Sequence, residues 1–462
     1  MRSPPSSPSS RRMPAGFAAL VAAQFASALA DNALLIVAIA LLEQQGLPGW
    51  WAPMLKFGFI VSYVVLAPFV GPLADAFAKG RVMAAMNAVK VAGVLLLVAG
   101  AHPVAAFALV GLGAAAYAPA KYGLITELVG AEGLVEANAW IEVSVVCAAL
   151  LGVVVGGLLI SPWLVQSDLA AALARSFDAI GLGSAQALLA SLLLLLALYA
   201  LAAALNLGVP DSGARYARGS IHPRQLLRRF RRANRKLWRD ADGGLSLAAT
   251  TIFWGVGATL QFAVLRWAVD VLGLTLAEAA YLQAAVAVGV VIGATAAGRW
   301  VPLRHAKRLL ACGVALGLLM PLVAAVRDVT LAAVLLALVG AVGGLMVVPM
   351  NALLQHRGFV LLSAGRSIAV QGFNENLCVL IMLGSYAALQ AAQVPIVATL
   401  CGLGLAVAAA ITGLMIAAAR CSGRDDAGVV ELTRAGHDHV TRAAHDQGTT
   451  APASGPIGGQ RA

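Results

Sequence analysis

Asp31 and Asn32 interrupt an otherwise apolar run from Gly16 to Leu42. A charge in such a run costs several kcal/mol inside a bilayer unless a cavity or a partner receives it. Other apolar stretches carry Lys121 between Tyr117 and Tyr122, then Glu142, and then Asn374, Glu375 and Asn376. An ammonium of this kind receives a phosphate, and a carboxylate receives an amine. Two readings of Asp31 stand: it meets a substrate amine, or it pairs with Lys121 as a structural salt bridge. The double change Asp31→Asn with Lys121→Gln separates them, because it rescues only a structural pair. For Lys121 the plain reading is a lysine snorkelling to the nearby membrane edge. Glu142, Asn374 and Glu375 either face a cavity or clasp helices together by hydrogen bonds. Lys90 reads as peripheral.

The elements that must position these residues are membrane-spanning helices. Of 462 residues, 60% are hydrophobic and 11% charged, and the mean hydropathy is +0.86, which excludes the soluble classes. A window of about 19 residues places six spans near 17–42, 53–78, 82–100, 104–126, 137–160 and 185–207. Six more follow near 245–271, 276–298, 308–326, 330–354, 366–391 and 395–419. The expected fold is an all-α membrane protein with 12 transmembrane helices in two six-helix bundles. Its expected parts are a cytoplasmic N-terminal tail at 1–16, a bundle at 17–207, a basic cytoplasmic linker at 208–244, a bundle at 245–419 and a disordered cytoplasmic tail at 420–462.

The net charge of +11 is unevenly placed. The linker holds most of it, from Arg215 to Arg239, and Lys79, Arg81, Arg299, Arg304, Lys307, Arg308, Arg357, Arg366 and Arg420 fall on the same side of the membrane. The opposite side holds little beyond Lys56, Arg175, Arg266 and Arg327. Basic loops stay in the cytoplasm, so both termini and the linker are expected there. Leu226, Phe230, Ala233 and Leu237 recur at helical spacing within the linker. They predict an amphipathic helix on the anionic inner leaflet, with a solvated tether as the alternative. Arg2, Arg11 and Arg12 before an apolar run imitate a cleavable signal peptide. Cleavage near Ala30 would halve the first span, so that segment is read as retained.

The turn after the second span reads Gly71-Pro72-Leu73-Ala74-Asp75-Ala76-Phe77-Ala78-Lys79-Gly80-Arg81 and resembles the signature turn of the major facilitator superfamily. Gly71 allows close helix approach, Asp75 caps or pairs across the seam between the bundles, and Lys79 with Arg81 holds the turn at the headgroups. A narrower resemblance runs through most of residues 17–419. Ala23-Gln24-Phe25, Asp31-Asn32-Ala33-Leu34-Leu35, Ala118-Pro119-Ala120-Lys121-Tyr122-Gly123, Pro349-Met350-Asn351-Ala352-Leu353-Leu354-Gln355 and Ala369-Val370-Gln371 are similar to the lysophospholipid transporter family. The resemblance implies a bacterial inner-membrane protein moving lysophospholipids, lysophosphatidylethanolamine above all, from the outer to the inner leaflet for reacylation by a separate acyltransferase. Two positions depart from the family pattern. Gln261 stands where an arginine is expected, with Arg266 five residues on either snorkelling at the outer surface beside Trp267 or replacing the missing charge, and His356 stands where a glutamate is expected. A gating charge pair therefore does not carry over, and His356 instead offers pH sensitivity near 6.5.

Other function classes find less support. An exporter of drugs or small amphiphiles is the alternative within the superfamily. None of the seven histidines has an aspartate five residues later, so the base of a glycerolipid acyltransferase is missing and an enzyme is not expected. The basic residues follow membrane orientation rather than a nucleic-acid motif. Five dispersed cysteines without a C-x-x-C predict neither disulfide nor metal. His437, His439 and His445 sit in a polar tail read as disordered rather than metal-binding. No cofactor is expected.

Overall fold

Twelve of the helices among the described residues are long and apolar enough to cross a membrane. The computed structural model describes residues 14, 16–47, 51–179, 188–214, 216 and 222–419. The expected tail at 420–462 lies outside the described residues, as does all of 1–16 except residues 14 and 16. The described residues up to Thr412 form one compact unit, and the last helix runs on to Ala419.

The first six spans are α1 (Phe17–Gln44), α2 (Trp51–Ala76), α3 (Lys79–Val98), α4 (Pro103–Leu128), α5 (Leu134–Leu159) and α8 (Leu189–Leu207). Two short helices that no hydropathy window reveals, α6 (Pro162–Val165) and α7 (Asp168–Ala179), fill the connection before α8. The linker forms α9 (Pro223–Arg239). The second six are α10 (Ala241–Leu272), α11 (Leu276–Trp300), α12 (Leu310–Ala325), α13 (Val329–Leu361), α14 (Ala364–Ala391) and α15 (Ile396–Ala419).

Local chemistry sets the helix ends. Asp240 caps α10 by accepting from the Gly243 N–H at 2.7 Å, and Asp328 caps α13 by accepting from the Leu331 N–H at 2.7 Å. Thr275 and Glu278 make a reciprocal capping box at the start of α11. Gly273, with φ of 68°, ends α10 in the left-handed conformation that glycine adopts without strain. Inside the bundle, apolar burial gives no driving force between helices in lipid, so small residues and polar contacts hold the packing. Gly289 and Gly293 of α11 face Ala337 and Ala341 of α13, while Gly340 and Gly344 of α13 face Val286 and Val290 of α11.

Two of the buried clusters among the described residues lie at opposite depths of the molecule. At the end that carries the linker, Tyr117, Leu124 and Ile141 of the first six spans share one buried cluster with Ala294, Ala297, Val347 and Ala352 of the second six. At the opposite end a separate cluster holds Leu34, Val37, Leu55, Phe107, Leu192 and Tyr199, all from the first six spans.

Candidate functional site

A cavity of about 410 Å³ lies between the two sets of spans. Gln24, Asp31 and Asn32 of α1, Tyr63 of α2, Lys90 of α3, and Tyr117, Lys121 and Tyr122 of α4 line one wall. Trp254 of α10 and Gln371, Glu375 and Asn376 of α14 line the other. The lining reaches Lys56, an exposed residue near the end of α2 remote from the linker.

Asp31 sits at the middle of the 28-residue α1, and its partner is Lys90, not Lys121. The Lys90 ammonium donates to both Asp31 oxygens, at 2.9 and 2.7 Å, and to Ser27 Oγ at 2.9 Å. The Tyr199 hydroxyl donates to Asp31 Oδ1 at 2.7 Å, and Ser27 Oγ donates to Asn87 Oδ1 at 2.8 Å. Rings of Tyr117 and Tyr199 lie 5.4 and 5.7 Å from the same ammonium, close enough for cation–π attraction. Lys90 is 1% exposed, so the expectation of a peripheral lysine is corrected. The reason is depth: eleven residues into α3 is roughly 16 Å along the axis, too far for the side chain to reach an interface. Its position was the available signal; Tyr199, with ordinary apolar neighbours, gave none.

Lys121 is 8% exposed and does not snorkel. Its ammonium stands 4.2 Å over the Tyr122 ring and, among the described residues, has no ion-pair or hydrogen-bond partner. Glu142 of α5, expected among the binding residues, is buried and is not part of the cavity lining. A desolvated ammonium facing a cavity is a place for an anion. Across the cavity Gln371 donates to Glu375 Oε1 at 2.9 Å and to Asn351 Oδ1 at 3.0 Å. Asn374, expected among the binding residues, is corrected. It points to the linker helix, donating to Asn234 Oδ1 at 3.0 Å and accepting from Trp238 Nε1 at 3.1 Å. Its neighbours Glu375 and Asn376 line the cavity, because successive helical residues leave the axis in different directions.

Below the cavity the linker end is shut. Asp75 of α2 accepts from Ser363 Oγ at 2.5 Å and from the Gly365 N–H at 2.8 Å, capping α14 from the opposite set of spans, with Arg366 at 3.8 Å. Gly71 lets this contact form, since a Cβ there would meet the Arg366 backbone and Ala369. Asn138 of α5 and Gln355 of α13 exchange two amide hydrogen bonds at 2.9 and 2.8 Å. Lys79 is only 3% exposed and bonds Glu127 at 2.5 Å, so it does not hold the turn at the headgroups as expected; Arg81 is exposed. Ser212 and Tyr216, at the start of the linker, also donate to Glu127, and the Tyr216 hydroxyl bonds the Ala364 backbone. Burial and then the Glu127 carboxylate push the Tyr216 phenol upward, which keeps it a donor.

The sequence profile of the Major Facilitator Superfamily matches residues 20–360. The lysophospholipid transporter LplT of Yersinia enterocolitica is 42% identical over 384 residues, covering 83% of this chain and 89% of that protein. LplT of Yersinia pestis is 42% identical over 381 residues, covering 82% and 88%. This chain belongs to the lysophospholipid transporter family of the major facilitator superfamily. Solved structures agree on the fold. The E. coli fucose:proton symporter FucP superposes with a TM-score of 0.67 at 16% identity, over 87% of this chain and 98% of that one. A bacterial homologue of the iron transporter ferroportin, in an outward-facing state, gives 0.64 at 15% over 87% and 99%.

The positions expected to depart from the lysophospholipid transporter pattern are not part of the cavity lining. Gln261 is exposed, and its carbonyl accepts from Gln283 Nε2 at 2.6 Å. Arg266 is exposed and pairs with Asp270 of its own helix at 3.1 Å, so it supplies no charge to the cavity. Trp267 beside it is fully buried, not interfacial. His356 is half-buried on α13, between Gln355 of the amide pair and Arg357, which bonds Asp240.

Proposed function

We propose that the protein carries lysophospholipids across the membrane, taking the headgroup into the cavity between its two sets of spans and leaving the single acyl chain in lipid. The observation that carries this reading is the 42% identity to curated lysophospholipid transporters across 83% of the chain. The cavity chemistry agrees with it. Lys121 binds the phosphate, with Tyr122 as a neighbouring donor and Tyr117, whose hydroxyl donates to Asn206 Oδ1 at 3.3 Å, beside it in the lining, and Asp31 with Asn32 binds the headgroup amine. The amine displaces Lys90, whose ammonium occupies the same carboxylate between turnovers. Glu375 completes the opposite wall. Moving a methylene from oil to water costs about 0.8 kcal/mol, so a route that wets only the headgroup is favoured.

The linker end is cytoplasmic in this reading, because the basic residues gather there. The cavity then faces the outer leaflet of the bacterial inner membrane. Asp75, Gly71, Lys79 and the Asn138–Gln355 pair hold the cytoplasmic side closed until the loaded transporter rocks inward, in the alternating access that two-half transporters share. Lysophosphatidylethanolamine delivered inward is then reacylated by a separate acyltransferase. Purified protein in liposomes, given labelled lysophosphatidylethanolamine in the outer leaflet, is expected to move it into an albumin-resistant pool faster than protein-free liposomes. Equal rates, or export of small amphiphiles with no lysolipid movement, would overturn the assignment.

A further inference from the structure

The linker helix α9 carries seven arginines and one lysine in 17 residues and no acidic residue. Arg224, Arg228, Arg229, Arg231, Arg232, Arg235 and Arg239 are all exposed, and among the described residues no carboxylate pairs with any of them. The apolar side of α9 is already occupied. Phe230, Ala233 and Leu237 pack with Leu247, Leu354, Leu361 and Val370, Leu226 is buried too, and the Phe230 and Phe373 rings meet edge to face at 5.2 Å. The helix is therefore neither a tether nor an insertion device resting on its apolar stripe, as the sequence pattern suggested. Leu227 and Trp238, 41% and 42% exposed, flank the arginine face, and such a mixture belongs at the water–lipid boundary.

We infer that the arginine face of α9 is a binding surface for the anionic headgroups of bilayer phospholipids, and that its occupancy regulates the gate. Charge complementarity selects the partner: bilayer phosphates offer a dense negative surface to a face that the protein leaves uncompensated. The docked side supplies the coupling. Phe230, Ala233 and Leu226 sit over the seam beside Ala67, Pro68 and Pro72 of α2 and Ala369 of α14, so opening the linker end must move α9 against one wall or the other. Anionic lipid holding α9 from outside competes with that docking and eases opening.

The test uses full-length protein and the combined variant Arg228→Gln, Arg231→Gln, Arg232→Gln and Arg235→Gln, none of which touches the cavity. Native mass spectrometry with phosphatidylglycerol and phosphatidylcholine of matched chains reads binding. Wild type is expected to prefer phosphatidylglycerol by about fivefold or more, a factor that one arginine near an anionic surface supplies, and the variant to lose the preference. In liposomes, a one-third share of phosphatidylglycerol is expected to speed wild-type lysolipid transport several-fold and leave the variant at its phosphatidylcholine rate. Equal binding of both lipids, or a preference retained in the variant, would refute the surface whatever the transport result. Displacement of phosphatidylglycerol by millimolar inorganic phosphate, or tighter binding of an RNA duplex, would refute the choice of partner. A binding preference without any effect on rate would refute the coupling to the gate.

Discussion

Asp31 is neutralised by an ammonium from its own bundle, whereas Lys121 has no ion-pair partner among the described residues, so the two charges respond differently to removal. Losing one member of a buried ion pair leaves the other desolvated and costs about 3–5 kcal/mol. Lys90→Met is therefore expected to lower the detergent melting temperature sharply, whereas Asp31→Asn with Lys90→Gln recovers most of it and still fails to transport. Recovery of both stability and transport would make the pair purely structural. Lys121→Gln removes a cation with no ion-pair or hydrogen-bond partner among the described residues, so folding is expected to hold while the apparent affinity for lysolipid falls about ten- to hundredfold, the worth of a charge-assisted hydrogen bond. A loss of folded protein would instead give Lys121 a structural role. Single positions were unevenly legible in the sequence. Asp31 and Lys121 announced themselves as charges inside apolar runs. The identity of Asp31's partner depends on how α1, α3 and α8 are arranged, which no hydropathy pattern encodes, and Tyr199 and Ser27 enter the network only through that arrangement.

Twelve spans could be read from hydropathy because lipid forces every backbone group into helical hydrogen bonds, making length and apolarity sufficient signals. The linker helix was legible in period but not in placement, since an apolar stripe states that something is covered without naming the cover. Its junction with α10 gives a pH-dependent test. Arg357 donates to Asp240 from Nε at 3.0 Å and from Nη2 at 2.5 Å, and those bonds, aided by the Gly243 N–H, hold the Asp240 carboxyl below its usual range. A carboxyl lowered in the folded state stabilises it fully above the unfolded value, near 3.9, and the gain disappears as pH falls through the folded value. Amide protection of Gly243 and Gly244 is expected to stay level from pH 8 to about 5 and to decline below about 4. Arg357→Gln is expected to start that decline at higher pH. Protection that declines already between pH 7 and 5 in the unaltered protein would mean another group governs this junction.

At the scale of the molecule, the two sets of spans are sealed at one end and parted at the other. The sealing contacts come from both sets: Asp75 with Ser363 and Gly365, Gly71 with Ala369, Asn138 with Gln355, and Gly298 with Ala139. Polar contacts of this kind suit a seal that must break, because each exposed group finds water on opening, whereas a purely apolar seal would leave wetted hydrocarbon. Alternating access then requires the Asn138 and Gln355 side chains to separate in every cycle. Cysteines at those two positions, in a background freed of Cys147, Cys312, Cys378, Cys401 and Cys421, are expected to join readily through a short reducible bis-thiosulfonate linker. The joined protein should still bind lysolipid from the cavity side but carry none across, and reduction should restore transport. Full transport by the joined protein would mean the seal at α5 and α13 need not open, and the lysolipid would have to pass by a lateral route that leaves this end closed.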